Sequence, residues 1–181
     1  MSINQSLAAL SCGGVIACPT EAVWGLSCDP FNRSAVAQLL ALKRRRVAKG
    51  LILIAAHESQ LDWLLEGISD AQRARLTLSW PGPTTWLVPH CNKVPAWIHG
   101  DHETVAVRVS AHPTVSALCS AWGGVLTSTS ANPAGCQPPQ HSFQLRGYFG
   151  DQLDYIVPGS VGGADRPTTI KDLRSDQILR R

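Results

Sequence analysis

Hydrophobic and polar positions along this chain switch repeatedly between a helical and a strand-like period. Ile3, Leu7 and Leu10 recur at helical spacing and Gly13-Gly14 stops the run, which predicts a first helix. Val15-Ile16-Ala17-Cys18 is a short apolar run broken by Pro19, the pattern of a buried strand. Residues 20–30 mix small, polar and apolar positions without a clean period. Val36, Leu39 and Leu40 then mark a second helix, with Ser34 as its expected N-cap. A strand over Leu51–Ile54, a helix carrying Leu61, Leu64 and Leu65 behind Ser59, and a helix over Asp70–Leu78 follow. Trp80-Pro81-Gly82-Pro83 is a rigid turn, because two prolines fix φ.

Strands are predicted at Thr84–Val88 and Thr104–Val109, with a looser stretch between them. Pro113 opens a helix that places Val115 and Leu118 on one face. Val125-Leu126-Thr127 begins a strand that runs out into Ser128-Thr129-Ser130-Ala131-Asn132-Pro133-Ala134-Gly135. A helix capped by Ser142 and running through Phe149, a strand at Tyr155–Val157, a turn at Gly162-Gly163 and a strand starting at Thr168-Thr169-Ile170 complete the pattern. Such interleaving, with no repeat and no linker, predicts a single α/β domain over residues 1–181. Several connections are too short for helical crossovers, so antiparallel pairs are expected within its sheet.

Composition narrows the class. An apolar fraction of 44% against 16% charged residues describes a globular chain with a substantial core. No apolar run approaches the roughly 20 residues of a membrane span. Met1–Leu10 lacks the basic start of a signal peptide, and a cytoplasmic protein is expected. Cys12, Cys18, Cys28, Cys91, Cys119 and Cys136 are scattered with no C-x-x-C pair, which speaks for reduced thiols rather than a zinc ribbon or a disulfide framework.

The charge is concentrated. Leu42-Lys43-Arg44-Arg45-Arg46-Val47-Ala48-Lys49-Gly50 holds five basic residues and no acid; without those five, the formal charge of +3 becomes −2. Taken alone, such a run reads as a solvated loop or a nucleic-acid patch. Phosphate-loop, dinucleotide-binding and nucleophile-elbow motifs are absent. Yet Pro19-Thr20-Glu21, Pro83-Thr84-Thr85 and Ser128–Asn132 share a character with the basic run. Each sets hydroxyls, a carboxamide or cations just beyond an apolar strand, where a polyphosphate could be held. His99 and His102, flanked by Asp101 and Glu103, offer at most a weak metal pair with no further ligands in view. Arg108 ends an apolar strand and could be a structural ion pair or a carboxylate clamp. Trp24 stands apart from the other tryptophans because it follows Thr20 closely.

Together these residues resemble the YrdC family, the threonylcarbamoyl-AMP synthases, in its short bacterial form. The matching pieces are Pro19-Thr20-Glu21-Ala22-Val23-Trp24-Gly25, Leu42-Lys43-Arg44-Arg45, Lys49–Ile54, Trp80–Thr84, Ala106–Val109 with His112-Pro113, and Ser128–Asn132. They come in the family's order over nearly the whole chain. The resemblance implies a twisted mixed sheet with flanking short helices and a concave, positively charged active-site surface, without the C-terminal extension of longer relatives. It implies that L-threonine, bicarbonate or CO2, and ATP give L-threonylcarbamoyl-AMP and pyrophosphate. That product serves the N6-threonylcarbamoyl modification of adenosine 37 in tRNAs reading codons that begin with A, with partner proteins performing the transfer. The family's K-x-R and S-x-N signatures fall on Lys43 and Arg45 and on Ser130 and Asn132, the implied catalytic group. Lys49, Thr84, Ser128 and Arg180 join them as implied nucleotide contacts; Thr20, Trp24, Arg108 and Thr168 are the implied threonine contacts. No metal ligand comes from protein side chains, and Mg2+ would enter on the phosphates.

The chain departs from the family pattern in three places. Thr20-Glu21-Ala22 replaces a common Thr-Asp-Thr, Trp24 replaces Tyr or Phe, and Pro133-Ala134 intrudes after Asn132, restricting its backbone. The competing reading is a non-catalytic module that binds tRNA or double-stranded RNA through the basic cluster. A carbamoyl-phosphate-using relative within hydrogenase maturation proteins is larger and carries cysteine pairs that this chain lacks.

Overall fold

Ile52-Leu53-Ile54-Ala55 has no polar side to turn to water, and the fold buries all of it but the half-buried Ile52. The computed structural model of the chain describes residues 2–164 and 168–180. Its strands are β1 (Ile16–Pro19), β2 (Trp24–Ser27), β3 (Ile52–Ala55), β4 (Thr84–Pro89), β5 (Thr104–Val109), β6 (Leu126–Ser130), β7 (Tyr155–Ile156), β8 (Thr169–Asp172) and β9 (Ile178–Arg180). Between them lie α1 (Ser2–Ser11), α2 (Arg33–Lys43), α3 (Asp62–Leu65), α4 (Asp70–Ser79), α5 (Ala96–His99), α6 (Pro113–Trp122) and α7 (Ser142–Phe149). The strands form one sheet in the order β7-β1-β2-β6-β3-β5-β4-β8-β9, with β3 at its centre. The pairs β1–β7, β3–β5 and β4–β8 are parallel; the others are antiparallel.

Strand alternation sorts the side chains into two cores. Leu53 and Ala55 face the larger one with Trp24, Leu26, Val105 and Val107, closed by Val36 and Leu39 of α2, Leu64 and Leu65 of α3, and Phe149 of α7. Ile54 faces the smaller one with Ile16, Cys18 and Leu126, under Leu10 of α1 and Val115 and Leu118 of α6. Those two helices reach only part of their face. Beyond them a row of register partners, Ser128 on β6, Ile52 on β3, Ala106 on β5 and Leu87 on β4, continues across the sheet. That uncovered row is the floor of a cavity of about 480 Å³.

Several boundaries differ from expectation for local reasons. The N-cap of α2 is Asn32 rather than Ser34: its side-chain oxygen accepts from the N–H groups of Ser34 and Ala35, both at 3.1 Å. Ser59 sits inside a 3-10 turn (Glu58–Leu61) that runs into α3 and caps nothing. Gln144 Oε1 accepts from His141 N–H at 2.9 Å, so α7 is capped from His141 rather than Ser142. β2, β9 and α5 are additional elements. β2 escapes the alternation test because its cavity-facing position is Gly25, and α5 is a single turn.

The basic loop, a 3-10 turn at Val47–Lys49, leans directly on the end of α5. Leu51 N–H donates to Ile98 O at 2.8 Å. Gly100 has φ +64, and a Cβ there would lie 2.4 Å from Ala48 O. Only glycine meets both demands. Gly100→Val is therefore expected to lower unfolding free energy by about 2–4 kcal/mol. Gly123→Ala, at φ +80 with open space around it, should cost about 1 kcal/mol. Urea denaturation of the two variants checks the difference.

Candidate active site

The cavity has two chemically distinct ends joined by the apolar floor. Thr104 and Arg108 lie on the same face of β5 and both line it. Four residues of strand separate them by about 13 Å. At the Arg108 end stand Thr20, Glu21, Thr168 and Arg180; at the Thr104 end stand Arg45, Lys49, His99 and His102. Ser128 and Ser130 of β6 line the wall between.

Arg108 shares its face of β5 with Ala106, opposite the apolar side chains of Val105, Val107 and Val109. Its side chain is 5% exposed, and Nη2 lies 3.4 Å from Glu21 Oε2. Ser110 Oγ donates to Glu21 Oε1 at 2.6 Å. Burial pushes the Glu21 carboxyl up, but Arg108 and the Ser110 hydroxyl more than offset it, and its pKa is lowered. The Thr20 hydroxyl donates to Val23 O at 2.7 Å, which fixes the tight turn leaving β1. Thr168 Oγ1 lies 3.2 Å from Thr85 Oγ1, and Arg180 donates to Thr168 O at 3.1 Å, so β9 holds that corner.

At the other end the basic run divides. Arg44 adopts the left-handed conformation (φ 51) as the C-cap of α2; it and Arg46 are exposed. Arg45 folds back, its Nε and Nη2 on Gly50 O at 3.2 and 2.9 Å. Lys43 is buried. Its ammonium donates to the carbonyls of Ser130 and of Asn132, the latter at 3.0 Å, while Ala134 N–H donates to Lys43 O at 2.8 Å. Burial, then the Arg45 charge, push its pKa down to about 8. The end of α2 and the turn after β6 are thus one bonded unit.

Of the residues singled out from sequence, Thr20, Arg45, Lys49, Arg108, Ser128, Ser130, Thr168 and Arg180 meet around this cavity. Lys43, Asn132, Thr84 and Trp24 do not line it. Lys43 and Asn132 stand directly behind the Ser130 wall; the Asn132 amide donates to Cys136 O at 2.7 Å and its Oδ1 is buried without a hydrogen bond. Thr84 opens β4, and its carbonyl accepts from Trp80 Nε1 at 2.8 Å. Trp24 is 1% exposed in the larger core because β2 alternates Trp24 and Leu26 inward and leaves Gly25 to face the cavity. The expectation that Trp24 contacts the threonine is thereby corrected, and strand parity is the reason. Glu21, His99 and His102 line the cavity without having been proposed as contacts. His99 stacks on His90, ring centroids 3.9 Å apart. Among the described residues no group of three or more His, Cys, Asp or Glu could hold a metal ion. None of the described helices is long and apolar enough to cross a membrane.

Sequence and fold are shared with known proteins. Residues 8–181 match the Sua5/YciO/YrdC family model, whose description is "Telomere recombination", and the chain belongs to that family. A Halorhodospira halophila protein named threonylcarbamoyl-AMP synthase is 51% identical over 179 residues, covering 99% of this chain and 94% of that one. A Pseudomonas aeruginosa protein of the same name is 53% identical over 168 residues, covering 93% and 90%. The crystal structure of P. abyssi Sua5 complexed with L-threonine superposes with a TM-score of 0.91 at 28% identity. It is matched by 98% of this chain, which spans 53% of its length.

A carboxyl whose pKa is lowered on folding contributes stability that is complete above its unfolded value, near 4.5 here, and is lost as pH falls through the folded value. The difference in Tm between the chain and Glu21→Gln should therefore be widest at neutral pH and shrink in acid. Circular-dichroism melts across that range check it; a gap that persists in acid would remove the ionised Glu21–Arg108 pair from the stability of the fold.

Proposed function

We propose that the chain is a threonylcarbamoyl-AMP synthase, a nucleotidyltransferase that turns L-threonine, bicarbonate or CO2, and ATP into L-threonylcarbamoyl-AMP and pyrophosphate. The observation that carries this reading is the pairing of unlike ends in one cavity. A buried guanidinium flanked by threonine hydroxyls suits an amino-acid carboxylate. About 13 Å away, a cationic loop beside serine hydroxyls suits a polyphosphate. The apolar floor of Ile52, Ala106 and Leu87 offers a flat surface for a base. High identity to synthases over nearly their full length supports the same reading.

The residues act by position and charge, as nucleotidyl transfer requires. Arg108, with Thr20 and Thr168, clamps the threonine. The threonine amine captures CO2, and the resulting carbamate oxygen attacks the α-phosphorus as pyrophosphate leaves. Arg45 and Lys49 face the phosphates from the loop, Ser128 and Ser130 hydrogen-bond nucleotide oxygens, and Arg180 reaches the nucleotide from the Arg108 end. Lys43 supplies charge through the Ser130 wall and, with Asn132, holds that wall in place. Thr84 positions the strand under the nucleotide. Mg2+ travels with the phosphates. On this reading the enzyme works in the cytoplasm with other proteins of N6-threonylcarbamoyladenosine synthesis, and exposed Arg44 and Arg46 are free to meet tRNA.

Pyrophosphate release by the purified chain tests the reaction. Release should require ATP, L-threonine and bicarbonate together; RNA binding without such turnover would sink the proposal in favour of a binding module. Lys43→Ala should lower turnover by about 100-fold or more while the far-UV spectrum stays unchanged. Near-normal activity would take Lys43 out of the site.

Lys43 also gives a pH signature. With its pKa pushed down to about 8 in the free chain, nearby phosphates favour the charged form, so nucleotide binding takes up protons near and above that pH. Affinity should weaken as pH rises through about 8. Calorimetry in buffers of different ionisation enthalpy should record the uptake in the unaltered chain and its loss in Lys43→Arg.

A further inference from the structure

The Glu21–Arg108 pair holds more than a structural ion pair needs. Ser110 Oγ donates to Glu21 Oε1 at 2.6 Å and accepts from His112 N–H at 3.1 Å. The amide can only donate, which leaves the hydroxyl proton free for Glu21, the arrangement that a carboxylate takes. Its other oxygen, Oε2, and the Nε of Arg108 are buried with no hydrogen-bond partner. Both residues line the cavity. Oε2 keeps only the ion-pair contact with Arg108 Nη2 at 3.4 Å, and buried polar atoms left without hydrogen bonds on a cation and an anion that both line a cavity are costly unless a ligand completes them. The ligand with matching charges at matching spacing is an α-amino-acid zwitterion, whose carboxylate and ammonium sit on one carbon.

We propose that Glu21 is a catalytic residue that binds the ammonium of the threonine clamped by Arg108 and removes its proton. This rests on the functional reading above and adds a step to it. An ammonium has no lone pair and cannot capture CO2. As one of its N–H bonds breaks, the electron pair stays on nitrogen and the proton passes to Glu21 Oε2. The lone pair then forms the N–C bond to CO2, and the second nitrogen proton leaves to solvent, giving the carbamate. Nothing is oxidised or reduced. Glu21 returns its proton to solvent when the product departs.

The environment suits a base that switches on with substrate. In the free chain Arg108 holds Glu21 ionised. A substrate carboxylate on Arg108 diverts part of that stabilisation, leaving a buried carboxylate whose proton affinity rises. The other charged or titratable groups around the pair are His112, the Cys18 thiol, and Arg180 and the Cys119 thiol, which act on Arg108. Ser110 keeps Oε1 occupied throughout, so Oε2 is the oxygen left to work.

Two reactions of the Glu21→Gln chain separate this role from a structural one. Synthesis from ATP, L-threonine and bicarbonate needs the deprotonated amine. The reverse reaction, ATP formation from threonylcarbamoyl-AMP and pyrophosphate, does not. Synthesis should fall by about 10²–10⁴-fold at neutral pH and recover as alkaline pH supplies free amine, while the reverse reaction stays within about tenfold of the unaltered chain. Equal losses in both directions, or a synthesis profile parallel to the unaltered one, would overturn the proposal and leave Glu21 a support for Arg108. Should the glutamine variant fail to fold, Glu21→Asp decides: it retains a base, so slower synthesis with an unchanged pH profile supports the role. Joint loss of both directions in that variant overturns it. If the unaltered chain shows no threonine-dependent pyrophosphate release, the functional reading itself falls, a result distinct from any difference between variants.

Discussion

Everything at the cavity depends on the register of β6 between β2 and β3. Ser130 pairs with Gly25 on one side and Ser128 with Ile52 on the other. That alignment turns both serines to the face that β5 presents with Ala106 and Arg108. A slip of one residue would send the hydroxyls of Ser128 and Ser130 into the larger core. The register is fixed from the covered end. Leu126 must meet Ile54 under α6, and Thr127 Oγ1 accepts from Cys28 N–H at 2.8 Å on the opposite face. Packing at one end of a strand thereby aims chemistry at the other.

What could be read from sequence follows the same division. β3 and β5 announce themselves through unbroken or alternating apolar residues, and α6 through the proline at its first position. β9 has all three residues exposed, so burial leaves no period in it. The cationic loop and the serine-rich run were visible because composition alone marks them. Glu21 was not. Its meaning lies in Arg108 and in Ser110, 89 residues away, and a single acid in a turn carries no sign of either. Trp24 shows the opposite failure. Proximity to Thr20 in sequence suggested a shared role, yet adjacent strand residues point to opposite faces. The turn's hydroxyl and the strand's indole are separated by the sheet itself.

The site keeps its charges where a fold would rather not have them. Lys43 and Arg108 are both among the buried residues, and burying a cation costs several kcal/mol unless partners offset it. Each has partners of a kind that a substrate could supplement or compete with: backbone carbonyls for Lys43, one carboxylate for Arg108. Lys43 is bonded to two carbonyls, whereas Arg108 keeps a buried Nε with no hydrogen-bond partner. Such incomplete satisfaction is the usual mark of a site whose remaining interactions arrive with a ligand.

The row of side chains around the cavity has a further consequence for how the molecule comes into being. Thr20 follows β1, Arg45 follows α2, Arg108 lies next to the last residue of β5, Ser130 ends β6, and Arg180 belongs to β9. β1 pairs in parallel with β7, and β4 with β8. Each of these pairings joins segments far apart in the chain, and loops that long must close before any contact rewards them. No early, locally folded fragment can therefore contain a working cavity. During synthesis on the ribosome the larger core can gather around α2 and β3 while the carboxylate end still lacks Thr168 and Arg180. Ligand binding then becomes a report on completed topology: a molecule that recognises both ends at once stabilises only chains whose distant strands have already met.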